Sequence, residues 1–246
     1  MRNLVAAVHA SGARLILHTN PAAASEGRAQ VEGLEQYQSQ GFMGGALGYP
    51  ARDWDNDGFE ETGWLLLNLW FEGYREWLVA HCERLVDSYG VDGFFLGGMD
   101  LYASDRRGDP FQGWRSLVGE LRELAEDVIL VGEGNADYIA CLTPVFQPHT
   151  RVDSVEFQLT VGRWGRSIAY SAVADSQHRA GVGELVHAQY RPLKGISRNV
   201  LPAVSIARKT VHTNVEYLMA GLQWARTWQA LYGSAPEAER TGAGIA

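Results

Sequence analysis

The chain has 246 residues, 46% of them hydrophobic, with 28 glycines, 8 prolines and a formal net charge of −8. That length supports a full core and suits one large α/β domain, so stability calls for neither disulfides nor a structural metal. The acidic balance argues against non-specific contact with nucleic acid or anionic membrane, and no apolar run is long enough to predict a membrane span.

The chain opens on a stretch whose periodicity predicts a short helix over residues 2–11, ended by Gly12 where a left-handed residue is wanted. His9, Gly12 and Arg14 interrupt the apolar stretch a secretory leader would need, so a cytoplasmic protein is expected. Residues 13–18 (ARLILH) read as a buried strand stopped by Asn20-Pro21. Residues 21–63 are Gly-rich and polar, and a connection of that length is expected to be a functional insertion. Residues 64–70 (WLLLNLW) form a continuous apolar run, the pattern of a strand covered on both faces.

The clearest helix follows, with Tyr74, Trp77, Leu78, His81, Leu85, Val86 and Tyr89 at three- and four-residue spacing and Gly90 as its stop. Residues 91–96 predict a second buried strand. Trp114, Leu117, Val118, Leu121, Leu124 and Ala125 form the stripe of a further helix, and residues 128–131 (VILV) a strand directly after it. Residues 152–159 and 202–207 are the remaining strand candidates. The last helix begins at the capping box Thr213-Asn214-Val215-Glu216, and residues 233–246 read as a frayed tail.

Buried strands alternating with amphipathic helices predict parallel βαβ units in one domain over residues 1–232. Ligands of such sheets bind at the carboxyl ends of the strands. The doubly wound nucleotide-binding alternative needs a G-x-G-x-x-G turn after the first strand; HTNPAAASEG stands there instead, and no phosphate-binding G-x-x-x-x-G-K-[ST] occurs.

The stretch from Tyr74-Arg75-Glu76-Trp77-Leu78 to Tyr89-Gly90-Val91-Asp92-Gly93-Phe94-Phe95-Leu96 resembles the third-helix-to-fourth-strand passage of glycoside hydrolase barrels, above all the α-amylase, α-galactosidase and fucosidase-like groups. Residues 10–18 resemble the second strand of those barrels, and Val131-Gly132-Glu133 the strand that presents an acid/base glutamate. The resemblance covers residues 8–135. It implies a TIM-like (β/α)-barrel, here incomplete with about six clear strands, and hydrolysis of an oligo- or polysaccharide by paired carboxylates. One departure stands out. Where the family carries its nucleophilic Asp, this chain has Gly97-Gly98, and the next carboxylate is Asp100. Retaining and inverting mechanisms differ in the separation of the two carboxyls, so a slip of that size bears directly on mechanism.

Candidate catalytic residues are therefore Glu133 as general acid and Asp100 as its partner, with Glu156 as a rival partner in the strand candidate 152–159. Asp92 opens a strand and is expected to act structurally at the other end of the sheet. Candidate sugar contacts are His18 and Asn20 after the first strand, Asn68 and Trp70 after the second, Gln158 on the face of Glu156, and Trp164 in a loop. Asp53-Trp54-Asp55-Asn56-Asp57-Gly58 reproduces the opening of a calcium loop, but Trp64 stands where the closing Glu belongs. Calcium at Asp53, Asp55 and Asp57 and a plain acidic turn both remain open, and no other cofactor is called for. The histidines form no zinc spacing, and Cys82 and Cys141 have no motif context. A non-catalytic carbohydrate-binding descendant of such a barrel is the second reading. A piece completed by a partner, including a second copy closing an open barrel, is the third.

Overall fold

A computed structural model describes residues 1–41, 43, 45–49, 63–100, 105–134, 137–143, 145–147, 166–171, 200–204 and 215–232. The chain divides into two compact units, Met1–His149 and Thr150–Ala246.

The first unit contains α1 (Arg2–Ala10), β1 (Ile16–Thr19), β2 (Ala23–Ser25), α2 (Glu26–Glu32), a 3-10 turn (Leu34–Tyr37), β3 (Gly48–Tyr49) and β4 (Trp64–Leu66). It continues with α3 (Glu72–Tyr89), β5 (Gly93–Leu96), α4 (Pro110–Arg122), β6 (Ile129–Glu133), α5 (Asp137–Leu142) and β7 (Val145–Gln147). Its main sheet runs β1-β5-β6-β7, every pairing parallel, with Ile16 opposite Gly93, Gly93 opposite Ile129 and Val131 opposite Val145. Parallel neighbours require crossover connections, and α3, α4 and α5 lie in them.

The helices form where local pattern dictates. Asp109 caps α4 by accepting from the Phe111 amide, Pro110 stands at its first turn, and Trp114, Leu117, Val118 and Leu121 on one stripe are fully buried. Burying each such side chain contributes roughly 1.5–3 kcal/mol. In α3 the buried stripe is Tyr74, Leu78 and Cys82, and Gly90 ends the helix at φ 72°. Burial pushes the Cys82 thiol up to about 12. It also raises the phenol of Tyr74, whose hydroxyl donates to the Pro21 carbonyl at 2.7 Å.

One expectation is corrected here. Residues 64–70 do not supply a parallel strand covered on both faces. Only Trp64–Leu66 is extended, and β4 pairs antiparallel with β2 and β3 in a separate three-stranded sheet. Leu65, Leu67 and Leu69 are buried while Trp64 and Leu66 are half-buried, the alternation of a sheet with one wet face. The stretch 21–63, expected as a functional insertion, contains β2, α2 and β3. The small residues of β2 (AAS) form the strand through backbone pairing to β4 without any hydrophobic periodicity.

At the amino end of the main sheet Asp92 accepts hydrogen bonds from Arg14 (2.7 Å), His9 (2.8 Å) and the Leu15 amide (2.7 Å). Burial alone would raise this carboxyl, but those donors outweigh it and bring it down to about 2. Asp92 is thus a structural tie between α1, β1 and β5, as its place at a strand start predicts.

The second unit contains β8 (Arg166–Ser171) and β9 (Val200–Val204), paired in parallel from Ser167–Val200 to Ser171–Val204, and α6 (Val215–Tyr232), which packs on β9. Residues 202–207 were expected as a strand, and β9 begins two positions earlier. The candidate strand 152–159 lies outside the described residues.

Candidate functional site

The carboxyl ends of β1, β5 and β6 come together at one turn, residues 97–100, that continues from β5. The Gly97 amide donates to the Thr19 carbonyl at 2.7 Å, which holds the turn to β1. On the other side the Gly98 amide donates to Glu133 Oε2 at 2.9 Å and the Met99 amide to the Glu133 carbonyl at 3.1 Å. The Tyr138 hydroxyl, reaching over from α5, donates to the Met99 carbonyl.

The two glycines at the turn now have a physical reason. A Cβ on Gly97 would lie 2.5 Å from His18 Nε2, and Gly98 sits at φ 66°, a conformation that side chains rarely adopt. Gly134 closes the far side at φ 139°, where a Cβ would lie 2.9 Å from Asp100 Cγ and 3.0 Å from its Oδ2. The Gly97-Gly98 departure is thus a turn that carries the chain across β6 and sets the Asp100 carboxyl against the residue following Glu133. Both carboxylates are half-buried. The Gly98 amide fixes the orientation of Glu133, and no described residue donates to its Oε1.

The other predicted contacts separate into distinct roles. His18 is exposed, its ring 5.2 Å from that of Phe95 and its Nε2 beside Gly97. Asn20 has a buried Oδ1 without a hydrogen-bond partner among the described residues. A buried acceptor left unmet is costly, so a donor from a bound molecule or water suits this position. Trp70 is 45% exposed. Asn68 is withdrawn from the set of sugar contacts. It is fully buried, its Nδ2 donates to Asp105 Oδ2 at 3.1 Å, and its Oδ1 accepts from the Trp70 amide at 2.9 Å. Its polar atoms are spent holding the chain. Glu156, Gln158, Trp164, Asp53, Asp55 and Asp57 lie outside the described residues. Among the described residues, no cluster of three His, Cys, Asp or Glu could hold a metal, and no helix is long and apolar enough to cross a membrane.

Sequence reasoning missed Asp105. Its fully buried side chain accepts from the Gln40 amide, Asn68 Nδ2 and the amide, Nε and Nη2 of Arg107. Burial would raise this carboxyl, yet the Arg107 guanidinium and the surrounding donors hold it well below the usual carboxylate range. Arg107 also donates to the Gln38 carbonyl and lies 4.9 Å over the Phe71 ring. The hub ties the β5–α4 connection, which begins with the Asp100 turn, to the antiparallel sheet. Asp105 and Arg107 alternate in a sequence segment without periodicity, and their partners are remote, so only the neighbouring Arg hinted at an ion pair.

No family model and no curated protein matches the chain. Solved structures do. The cycloisomaltooligosaccharide glucanotransferase of Paenibacillus sp., complexed with cycloisomaltoheptaose, superposes with a TM-score of 0.50 at 14% identity, over 68% of this chain and 27% of that one. The glycoside hydrolase domain of PelA from Pseudomonas aeruginosa matches with a TM-score of 0.49 at 12% identity, over 68% of this chain and 70% of that domain. A noncanonic maltogenic α-amylase, AmyB from Thermotoga neapolitana, matches with a TM-score of 0.48 at 13% identity, over 69% of this chain and 40% of that one. The chain therefore spans less than half the length of two of these three. Together with the parallel βα units, the likeness to the Paenibacillus structure shows the fold, an incomplete TIM-like (β/α)-barrel.

Proposed function

We propose that the protein is a glycoside hydrolase acting on an oligo- or polysaccharide, with Glu133 and Asp100 as its paired carboxylates. The observation that carries this reading is the 97–100 turn, which brings Asp100 beside the Glu133–Gly134 step at the strand ends where barrels of this kind bind ligands.

In this reading protonated Glu133 gives its proton through Oε1 to the glycosidic oxygen as the bond from that oxygen to the anomeric carbon breaks. The Asp100 carboxylate faces the positive charge that develops on the sugar, or attacks the anomeric carbon. Water then supplies the hydroxyl of the product and returns a proton to Glu133. The Gly98 amide keeps Glu133 in one orientation through the cycle, which reduces the reorganisation required at the moment of proton transfer.

The similar structures include a maltogenic α-amylase and a cycloisomaltooligosaccharide glucanotransferase. Linear maltoheptaose and isomaltoheptaose are accordingly the first substrates to test, followed by a wider glycan panel. Glu133→Gln and Asp100→Asn are each expected to lower kcat/KM by about 10²–10⁴-fold, the usual weight of a positioned acid or base. Full activity in Glu133→Gln on a glycan the wild type cleaves would overturn the assignment. A non-catalytic carbohydrate-binding protein is the second reading, favoured by glycine at the family's nucleophile position. It predicts saturable glycan binding with no cleavage of any member of the panel.

A further inference from the structure

Trp70 is held as a fixed surface. Its amide donates to Asn68 Oδ1 at 2.9 Å, and its carbonyl accepts from Arg75 Nη1 at 2.9 Å. The same Arg75 nitrogen binds the Leu69 carbonyl at 2.9 Å, and Arg75 Nε is anchored on Glu120 at 2.9 Å. The indole rests on backbone: a Cβ on Gly108 would collide with its Cγ, Cδ1 and Nε1. Gly113 brings α4 so close that a Cβ there would strike the Leu69 carbonyl carbon and the Trp70 amide. Two glycines and a buried asparagine thus fix the position of this residue, yet 45% of it faces solvent, whereas Trp114 on the adjoining helix is 1% exposed. No described residue accepts its indole N–H.

We infer that Trp70 is a stacking platform for a pyranose ring of the glycan, a binding subsite seated on the connection between β5 and α4. A rigid indole offers a flat apolar face to the C–H side of a hexopyranose and an N–H to a hydroxyl on its rim, and binding orders few further degrees of freedom. Its seat, Gly108, belongs to the same β5–α4 connection as Asp100. This inference rests on the glycan reading above, but its test is independent of bond cleavage.

Binding of maltoheptaose and isomaltoheptaose is measured by calorimetry in the Glu133→Gln background, where the sugar remains intact. Trp70→Ala is expected to weaken the Kd of the bound heptasaccharide about tenfold or more. Trp70→Phe, which keeps the flat face and loses the N–H, is expected to fall between. Gly108→Ala leaves the tryptophan in the chain but drives it off its seat, and is expected to act like Trp70→Ala. Circular dichroism and thermal midpoints check that each variant is folded. A Kd within twofold of the parent in Trp70→Ala overturns the platform, and so does the absence of saturable binding of either sugar. The two proposals fail separately. Where Glu133→Gln still cleaves at full rate, a raised KM in Trp70→Ala takes the place of the Kd; that result removes the catalytic assignment alone, and the converse result removes the platform alone.

Discussion

Replacing Asp105 by Asn tests whether the buried hub holds the first unit together. The wild-type carboxylate accepts five hydrogen bonds, three at Oδ2 from Gln40, Asn68 and Arg107 Nη2 and two at Oδ1 from Arg107. Every group facing it is a donor. An amide of the same shape turns its NH2 toward at least two of them and removes the charge opposite Arg107. Breaking a buried ion pair from one side costs about 3–5 kcal/mol. The Arg107 side chain keeps 30% of its exposure and can regain some hydration, which sets the expected loss near the lower end, about 3 kcal/mol. At roughly 2–4 °C per kcal/mol for a unit of this size, the thermal midpoint should fall by about 6–12 °C. The measurement is urea and thermal unfolding of the full chain followed by circular dichroism at neutral pH. The folded carboxyl is held below its unfolded value of about 3.9, so its contribution is full above that pH and drains away as the pH falls toward the folded value. Wild type and variant should therefore converge in acid. A loss below about 1 kcal/mol at pH 7, or a gap that widens as pH falls, would refute the reasoning.

The glycan and Trp70 experiments are joined by two further expectations. Gly93→Ala places a Cβ on the Ile129 carbonyl oxygen of the neighbouring strand. Overpacking of that kind costs about 1–3 kcal/mol, whereas an unhindered Gly→Ala exchange gains about 0.4–1 kcal/mol, so the sign of the change in Tm decides whether β5 and β6 lie as close as described. Thiol labelling of the native protein at pH 8 should modify exposed Cys141 quickly and leave Cys82 untouched until denaturant is added. Cys82 is 3% exposed and its thiol is pushed up to about 12, so little thiolate forms there; equal rates for the two would contradict its burial.

Elements whose cause is local were legible in the sequence. The stripes of α3 and α4 and the Gly90 stop announce themselves within one window, and residues 91–96 and 128–131 locate β5 and β6 to within two positions. Residues 64–70 were misread because a short apolar run says nothing about the direction of its partner. The β2 strand was invisible because alanine and serine carry no pattern, and β7 because three residues are too few. At the candidate site, Glu133 and Asp100 were singled out from strand-end logic and the family resemblance, but the turn at Gly97-Gly98 that sets Asp100 against Gly134 was not legible. That depends on a left-handed residue and on contacts to His18 and Thr19, remote in sequence. Asn68 and Asp105 show the same limit from the other side. A polar residue near a strand end reads alike whether its hydrogen bonds go to a ligand or to the fold, and only the partners distinguish them.

The parallel register also bears on the order in which the chain can close. The bond from Leu15 to Asp92 spans 77 residues, whereas the bond from Gly98 to Glu133 spans 35. For a flexible chain a doubling of loop length adds only about 0.6 kcal/mol of closure entropy, so docking the first strand is a small thermodynamic burden. Its weight falls on kinetics, because pairings distant in sequence are slow to find. The β2–β4 ladder lies inside the longer span and joins Ala23 to Leu66, which shortens the free path that β1 must search. Early formation of the small antiparallel sheet would thus shorten the free span between β1 and β5. Once it forms, the Glu133 end and the His18 end of the site are separated by far less disordered polypeptide than their numbering suggests.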